Sequence, residues 1–420
     1  MKSPSNITAM VIDLGMFVEL ARTVAQTYKK VYYCNPSWVC PYPKLNEAKI
    51  GEGFPEIEVC LDPFDHFEDI DLYVFPDIGY GGFQTYLESE GKKVWGCRMA
   101  EELEFYRDDC KKLMKRLGLP VGPWEKVKSI DSLREYLKEH KKQWVKMNQF
   151  RGHFETFFSD YYTLVEPRID EIEHQLGALK NMAEFVVEEH LPDMFEVAAD
   201  AYNIDGEMPT KMLYGVEIKD QGYIGKFTNY ENIPKSMREF DTKMSPTLKR
   251  YGYRSFYSPE HRIGKEQIAY MIDLCARVPS PPGELYQVYY TNLAEIIWEG
   301  ANGNCIDPAP IAKWAAEIVI HSPWATKNWQ PIGFPNEYEE YIKFRNAVRI
   351  DGKTYVMPQM GEVPEIGGIC GYGDTMEEAI NMTNEISESI KGYFLEIPND
   401  ALNKAQEEID KAKEFDLWPS

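Results

Sequence analysis

A lysine inside a short apolar strand is costly unless an anion meets it. Lys146 stands in such a place, in Trp144-Val145-Lys146-Met147. Glu260 and Asp273 close the apolar runs Phe256-Tyr257-Ser258-Pro259 and Ala269-Tyr270-Met271-Ile272, near enough in sequence to pair as neighbouring strands. Two inward carboxylates on adjacent strands repel unless a cation lies between them. Hard oxygen ligands beside a polyphosphate select Mg2+, which takes only one or two protein carboxylates and keeps waters. Arg277, four residues after Asp273, can meet an anionic substrate or a phosphate. The run Phe185-Val186-Val187-Glu188-Glu189-His190-Leu191 is apolar, then acidic. A strand leaving its sheet there offers backbone N–H and C=O groups to an adenine edge, and Glu196 follows as an acceptor for ribose hydroxyls. Arg107, on a charged helix, gains meaning only in this company. Each residue also has a bland reading: an edge-strand lysine facing solvent, strand-end acids facing water, a plain strand exit, a solvated surface arginine.

The elements that must position these groups alternate. Residues 8–13, 31–34, 72–75 and 93–95 read as short strands, with helices at 17–27 and 83–90, the pattern of a parallel α/β sheet. Residues 100–117 read as one periodic helix ending at Gly118 and Pro120, and Ser129 as the N-cap of a helix over 130–141. Strands are expected at 126–127, 143–147, 185–187, 196–202, 211–218, 255–260 and 267–274, with a polar loop over 148–155. A proline-rich turn spans 278–283. Strands near 317–321, 354–356 and 366–372 follow, then helices over 376–391, capped by Asp374-Thr375, and 400–415. No internal repeat or low-complexity tract is evident.

The bulk numbers bound the answer. The chain has 420 residues, 44% hydrophobic and 13% aromatic, enough for two to four cored domains. No run approaches a membrane span, and the first residues lack a signal-peptide pattern, so the expectation is a soluble cytoplasmic protein without a membrane partner. A net charge of -22 argues against a nucleic-acid partner; a local cluster of Lys and Arg still admits ATP. The eight cysteines, at 34, 40, 60, 97, 110, 275, 305 and 370, form no CxxC pair, so neither a disulfide framework nor a zinc site is expected. Nothing in the sequence fixes the oligomeric state.

Taken in order, Arg107, Lys146, the loop Gln149-Phe150-Arg151-Gly152-His153, the hinge Val187-Glu188-Glu189-His190-Leu191, Glu196, and Glu260 with Asp273 resemble the ATP-grasp superfamily over most of the chain. Within it, the layout is most similar to phosphoribosylamine–glycine ligases. Ile272-Asp273-Leu274-Cys275-Ala276-Arg277 lines up with that group's acid, apolar, Asn, any residue, Arg pattern, and Gly371-Tyr372-Gly373-Asp374-Thr375-Met376-Glu377-Glu378-Ala379 resembles its C-terminal domain. The chain departs from the group in several places. Asp273 stands for the commoner Glu and Cys275 for Asn. The flap has few glycines, the N-terminal Gly-x-Gly turn is missing near Asp13-Leu14-Gly15, and prolines replace Gly-Asp-Pro-Glu after Arg277.

The resemblance implies an α/β (α+β) ATP-grasp architecture. An N-terminal α/β domain would span 1–100, an ATP-grasp domain 101–300 with a small lid at about 120–187, and a C-terminal domain, 301–420, would complete the core. It implies ATP and Mg2+ as cofactors and small-molecule carboxylate and amine substrates. Lys146, Arg107 and the Arg151-Gly152 flap would contact phosphates. Glu188, Glu189 and Leu191 would meet adenine and Glu196 the ribose. Glu260 and Asp273 would hold the metal, while Arg277 and Lys219 would serve the reacting groups. The implied activity is a carboxylate–amine ligase proceeding through an acyl phosphate. Two rivals stay open: an ATP-binding protein of this fold that has lost the reaction, and an ATP-dependent modifier of a peptide or a modified nucleoside.

Overall fold

The computed structural model describes residues 2–36, 49–148, 156–358 and 365–419. The expected loop over 148–155, Arg151 and Gly152 included, lies outside the described residues apart from Asn148. At the N-terminus, β1 (Thr8–Ile12), β2 (Lys30–Cys34), β3 (Glu58–Cys60), β4 (Leu72–Val74) and β5 (Lys93–Trp95) form an all-parallel sheet in the order 3-2-1-4-5. Helices α1 (Val18–Ala25) and α2 (Gly81–Ser89) make two of its crossovers. Nearly continuous apolar strands such as Ala9-Met10-Val11-Ile12 are what a sheet buried on both faces requires.

The expected helix over 100–117 is broken. A 3-10 turn over Arg98–Glu101 and α3 (Glu102–Phe105) stop at Tyr106, whose φ of -109° and ψ of 70° are not helical, and α4 (Arg107–Arg116) starts afresh. Arg107 therefore opens a helix rather than lying within one. A small antiparallel sheet follows, built from β6 (Trp124–Lys128), β7 (Gln143–Met147), β8 (Thr156–Ser159) and β9 (Glu184–Glu189) in the order 6-9-7-8. It is backed by α5 (Ile130–Glu139), whose N-cap Ser129 accepts from the Ser132 N–H, and by α6 (Tyr162–Leu176).

The largest sheet has eight strands. Its members are β10 (Phe195–Ile204), β11 (Lys211–Ile218), β12 (Gly222–Asn229), β13 (Arg254–Ile263), β14 (Ala269–Cys275), β15 (Trp314–His321), β17 (Ile342–Phe344) and β20 (Glu365–Gly373), ordered 14-13-10-11-12-15-20-17. Strands from the last hundred residues thus extend the sheet that carries Glu260 and Asp273. One face packs Val197, Met212, Tyr214, Ile224 and Ile318 against α10 (Met376–Ser389) and α11 (Ala401–Glu414). Thr375 and Glu378 close a capping box at the start of α10. The opposite face carries the polar groups described below and meets the N-terminal sheet through α8 (Gly283–Tyr289) and α9 (Leu293–Ala301), in a core with Trp95, Phe256, Tyr286 and Ile297. The remaining strands β16 (Gln330–Gly333), β18 (Ala347–Ile350), β19 (Lys353–Val356) and β21 (Lys391–Gly392) form a small antiparallel sheet.

Helices α6, α8, α9 and α7 (Lys235–Tyr251) have no counterpart among the sequence expectations, nor do β8, β12 and several short strands. Pro167 and Pro246 sit inside α6 and α7, where proline ordinarily argues against a helix. Two glycines weaken the strand pattern of β12. Helix α7 buries Asp241, whose Oδ2 accepts from the Tyr230 hydroxyl at 3.2 Å while Oδ1 has no hydrogen-bond partner among the described residues. Burial pushes this carboxyl up to about 7. A raised acid stabilises the fold fully below its unfolded pKa and loses that contribution as pH rises through the folded value. Asp241→Asn should therefore match the parent's stability near pH 4 and exceed it by about 2–4 kcal/mol at pH 8. Denaturant melts across that range check this, and a pH-independent difference would contradict it.

Candidate active site

A cavity of about 290 Å3 lies between the small sheet and the eight-stranded sheet. Lys146, Glu188, Glu189 and Leu191 line it from the small sheet and the segment leaving it. Glu196, Glu217, Lys219, Glu260, Arg262 and Asp273 line it from the large one. Glu260 on β13 stands directly across from Asp273 on β14. The register slips between Glu260 and His261, so β14 carries one extra residue there, Ile272. The carbonyl of Ile272 accepts from the Lys146 ammonium.

Lys146 is the electrostatic centre. It is only 6% exposed, and its Nζ lies 3.4 Å from Glu188 and 3.9 Å from Asp273. Burial alone would pull the ammonium's pKa down, but Glu188 and Asp273 outweigh it and hold it above the usual value. Arg107, at the first turn of α4, donates to the Met147 carbonyl at 2.9 Å and approaches Asp273 at 3.8 Å. Burial would push Asp273 up, yet Lys146 and Arg107 hold it well below the carboxylate range. Glu260 faces the opposite balance. Burial, with Asp273 and Glu196 nearby, pushes it up to about 8. One acid of the pair is ionised by its cations and the other holds a proton against the crowding.

Two carboxylates with no nitrogen or sulfur partner suit a hard cation. Among the described residues no group of three or more His, Cys, Asp or Glu is arranged to hold a metal on its own. A pair completed by phosphate oxygens and water is how Mg2+ is usually held, so Glu260 and Asp273 fit Mg2+ with a nucleotide.

Other expected residues fall less simply. Glu188 is buried and ion-paired with Lys111 at 2.8 Å as well as with Lys146, which puts its side chain with the cations rather than at an adenine edge. The N–H groups of Glu189 and His190 already donate to the carbonyls of Pro123 and Lys142. Glu196 is engaged by Arg262, whose Nη2 donates at 2.9 Å. Lys219 lies exposed at the rim. Arg277 is not part of the cavity wall; its Nε donates to Glu104 at 2.9 Å and lies 3.9 Å from Asp77, after the C-terminal end of β4. The Cys275 thiol is buried and turned to the Arg277 carbonyl, and burial keeps it protonated.

The sequence reading does not single out Arg262 and Glu217, which line the cavity, or Lys111, which pairs with Glu188 of its wall. Lys111 is one helical turn beyond Arg107, while Arg262 and Glu217 lie two residues from Glu260 and Lys219. Helical and strand periodicity could have found them, given the faces.

No protein-family model matches the chain, and no curated protein matches it in sequence. Solved structures do match in fold. The phosphoribosylamine–glycine ligase of Thermotoga maritima superposes with a TM-score of 0.71 at 18% identity, covering 94% of this chain and 100% of that one. The biotin carboxylase domain of the Hydrogenobacter thermophilus 2-oxoglutarate carboxylase, solved with MgADP, ADP and bicarbonate, gives 0.65 at 12% identity over the whole of both chains. The L-amino acid ligase of Bacillus licheniformis gives 0.62 at 14% identity, covering 93% and 99%. These are ATP-grasp enzymes, and this chain has the ATP-grasp fold.

Proposed function

We propose that the protein is an ATP- and Mg2+-dependent ligase that activates a carboxylate as an acyl phosphate and joins it to an amine. The observation that carries this reading is the meeting, in one cavity between two sheets, of a buried lysine with an in-register pair of acids of opposite protonation. The structural neighbours include ligases that use amines and a domain solved with MgADP. The same reading divides the chain at about residues 100 and 300, with a small lid at about 120–187.

In this reading Lys146 and Arg107 hold the phosphates, and the flap with Arg151 and Gly152 covers them. The carbonyls near Glu189 and the Leu191 backbone hold adenine, since the neighbouring N–H groups are taken. Glu196, fixed by Arg262, accepts the ribose hydroxyls. Glu260 and Asp273 would hold Mg2+, which when bound neutralises charge on the transferring phosphoryl group. The substrate carboxylate attacks the γ-phosphorus, ADP leaves, and the neutral amine displaces phosphate, which carries away the amine's proton. The chain supplies positioning and fixed charge, with Lys219 at the rim. Arg277, held by Glu104 near the strand ends of the N-terminal sheet, would steady the carboxylate from outside the nucleotide cavity.

A second reading, nucleotide binding without turnover, is favoured by one observation: the Cys275 thiol turns away to a backbone carbonyl where the resembling pattern has asparagine. A peptide or modified-nucleoside acceptor is the third.

A melting-temperature titration with Mg·ATP, followed by ADP release over a matrix of carboxylates and amines, separates them. The ligase gives a rise in melting temperature and ADP release that requires both partners. A rise with no ADP from any pair supports the second reading, and no rise sinks both.

A further inference from the structure

Arg262 on β13 stands across the ladder from Glu196 on β10, and both line the cavity. Its Nε and Nη2 donate to the same glutamate oxygen, Oε2, at 3.2 and 2.9 Å. Among the described residues Oε1 takes no hydrogen bond. The rest of the guanidinium reaches the other wall. Nη1 donates to the Leu191 carbonyl at 3.5 Å, and the cation lies 5.9 Å from the centre of the Trp144 ring on β7, within cation–π range. Lys146 ties the two sheets together beside Asp273; Arg262 ties them beside Glu196.

An ordinary surface ion pair is worth little and makes no geometric demand. This one does. The Glu196 side chain is 32% exposed and that of Arg262 18%. A half-exposed glutamate left alone samples several rotamers, and a ligand that needs one of them bears the cost of ordering it. Two N–H groups on one oxygen hold the carboxylate in a single orientation and fill that oxygen's lone-pair sites. The other oxygen stays open as a charged acceptor, already placed on the cavity wall. Phosphate oxygens cannot donate to it, whereas ribose hydroxyls can. We propose that Arg262 is a positioning residue for the sugar: it holds Glu196 so that Oε1 meets a ribose hydroxyl, and ATP is thereby preferred over its deoxy forms. This inference rests on the nucleotide site of the ligase reading and names the residue that sets its sugar specificity.

The test is melting-temperature titration of the full chain, at fixed Mg2+, with ATP, 2′-deoxy-ATP and 3′-deoxy-ATP. The parent should half-saturate with ATP at a concentration about tenfold or more below that for at least one deoxy form, as the loss of a hydrogen bond to a charged acceptor requires. Arg262→Met keeps an unbranched apolar stem and removes the donors, and should bring that ratio within about threefold. Arg262→Lys keeps the charge but not the fork and should fall between, so the result does not hang on one variant's folding. A role confined to holding the fold would lower the melting temperature without nucleotide and weaken all three nucleotides alike. An unchanged ratio in both variants therefore overturns the inference, and so does a parent without preference. Glu196→Gln is measured beside them. If it loses the preference while both Arg262 variants keep it, Glu196 retains the ribose and only the role of Arg262 falls. The ligase reading fails separately, by the absence of any Mg·ATP shift in the parent, and the inference falls with it.

Discussion

Lys146→Ala should abolish the Mg·ATP-induced rise in melting temperature and cut any ATP turnover by at least about a hundredfold. Among the described residues the lysine is the one cation paired with both acidic poles of the cavity, Glu188 on the small sheet and Asp273 on the large one. Removing a fixed charge aimed at a phosphoryl group typically costs ~10²–10³ in rate. The loss of stability should be smaller than for a simple buried pair, about 1–3 kcal/mol, because Lys111 still meets Glu188 and Arg107 still approaches Asp273. Denaturant melts without nucleotide measure that part, and nucleotide titration measures the rest. Lys111→Met is the useful companion. It breaks the 2.8 Å pair with Glu188 without removing Lys146 from the site. If Lys146→Ala binds Mg·ATP like the parent, the site assignment loses its centre.

Asp273→Asn should uncouple ATP binding from magnesium, so that ATP shifts the melting temperature equally with and without the metal, and should lower turnover by about a thousandfold. Lys146 and Arg107 hold Asp273 ionised, while burial and its neighbours raise Glu260 to about 8. Below pH 8 the parent's Glu260 carries a proton that a bound cation must displace. The metal's tightening of ATP binding should therefore grow as pH rises from 6 to 8, by up to about tenfold per unit, and level off above. In Asp273→Asn the charge crowding Glu260 is gone, and any residual pH dependence should move to lower pH. A metal effect independent of pH in the parent would contradict this account.

Part of this arrangement was legible in the sequence. Lys146, Glu260 and Asp273 stand out because charge within a short apolar strand is rare and needs a physical reason. The fold followed from the order in which such residues occur. Arg262 and Glu217 were hidden because a polar residue in an alternating strand is expected on the outer face. Which face is outer depends on register, which needs the partner strands. Periodicity picks out Arg107 but makes its helix continuous; the non-helical Tyr106 is what lets the guanidinium open a new helix toward Met147. Its place four residues after Asp273 makes Arg277 a candidate for an anionic substrate or a phosphate in the same site. Two residues past the end of β14 the chain has left the cavity, and Glu104 holds the side chain instead. Pro246 hides helix α7 from a sequence reading, while its apolar side, Phe240, Met244 and Leu248, joins the core that holds Tyr257 and Met271.

The extra residue in β14 is a phase change. In an unbroken strand Met271 and Asp273, two apart, would share a side, and Leu274 would lie opposite Met271. Here Met271 and Leu274, three apart, both enter the core beneath the sheet, while Asp273 faces Glu260 above it. Ile272 thus acts as a half-step that turns an acid from the core to the cavity without altering the strand's ends. A search that slides a strict two-residue period along 269–275 would assign this carboxylate to the wrong side. A one-residue deletion at 272 would make Met271 and Asp273 neighbours, and plain alternation would then place one in the core and the other facing Glu260. For this strand, the count of residues between the core and the site carries as much information as their identity.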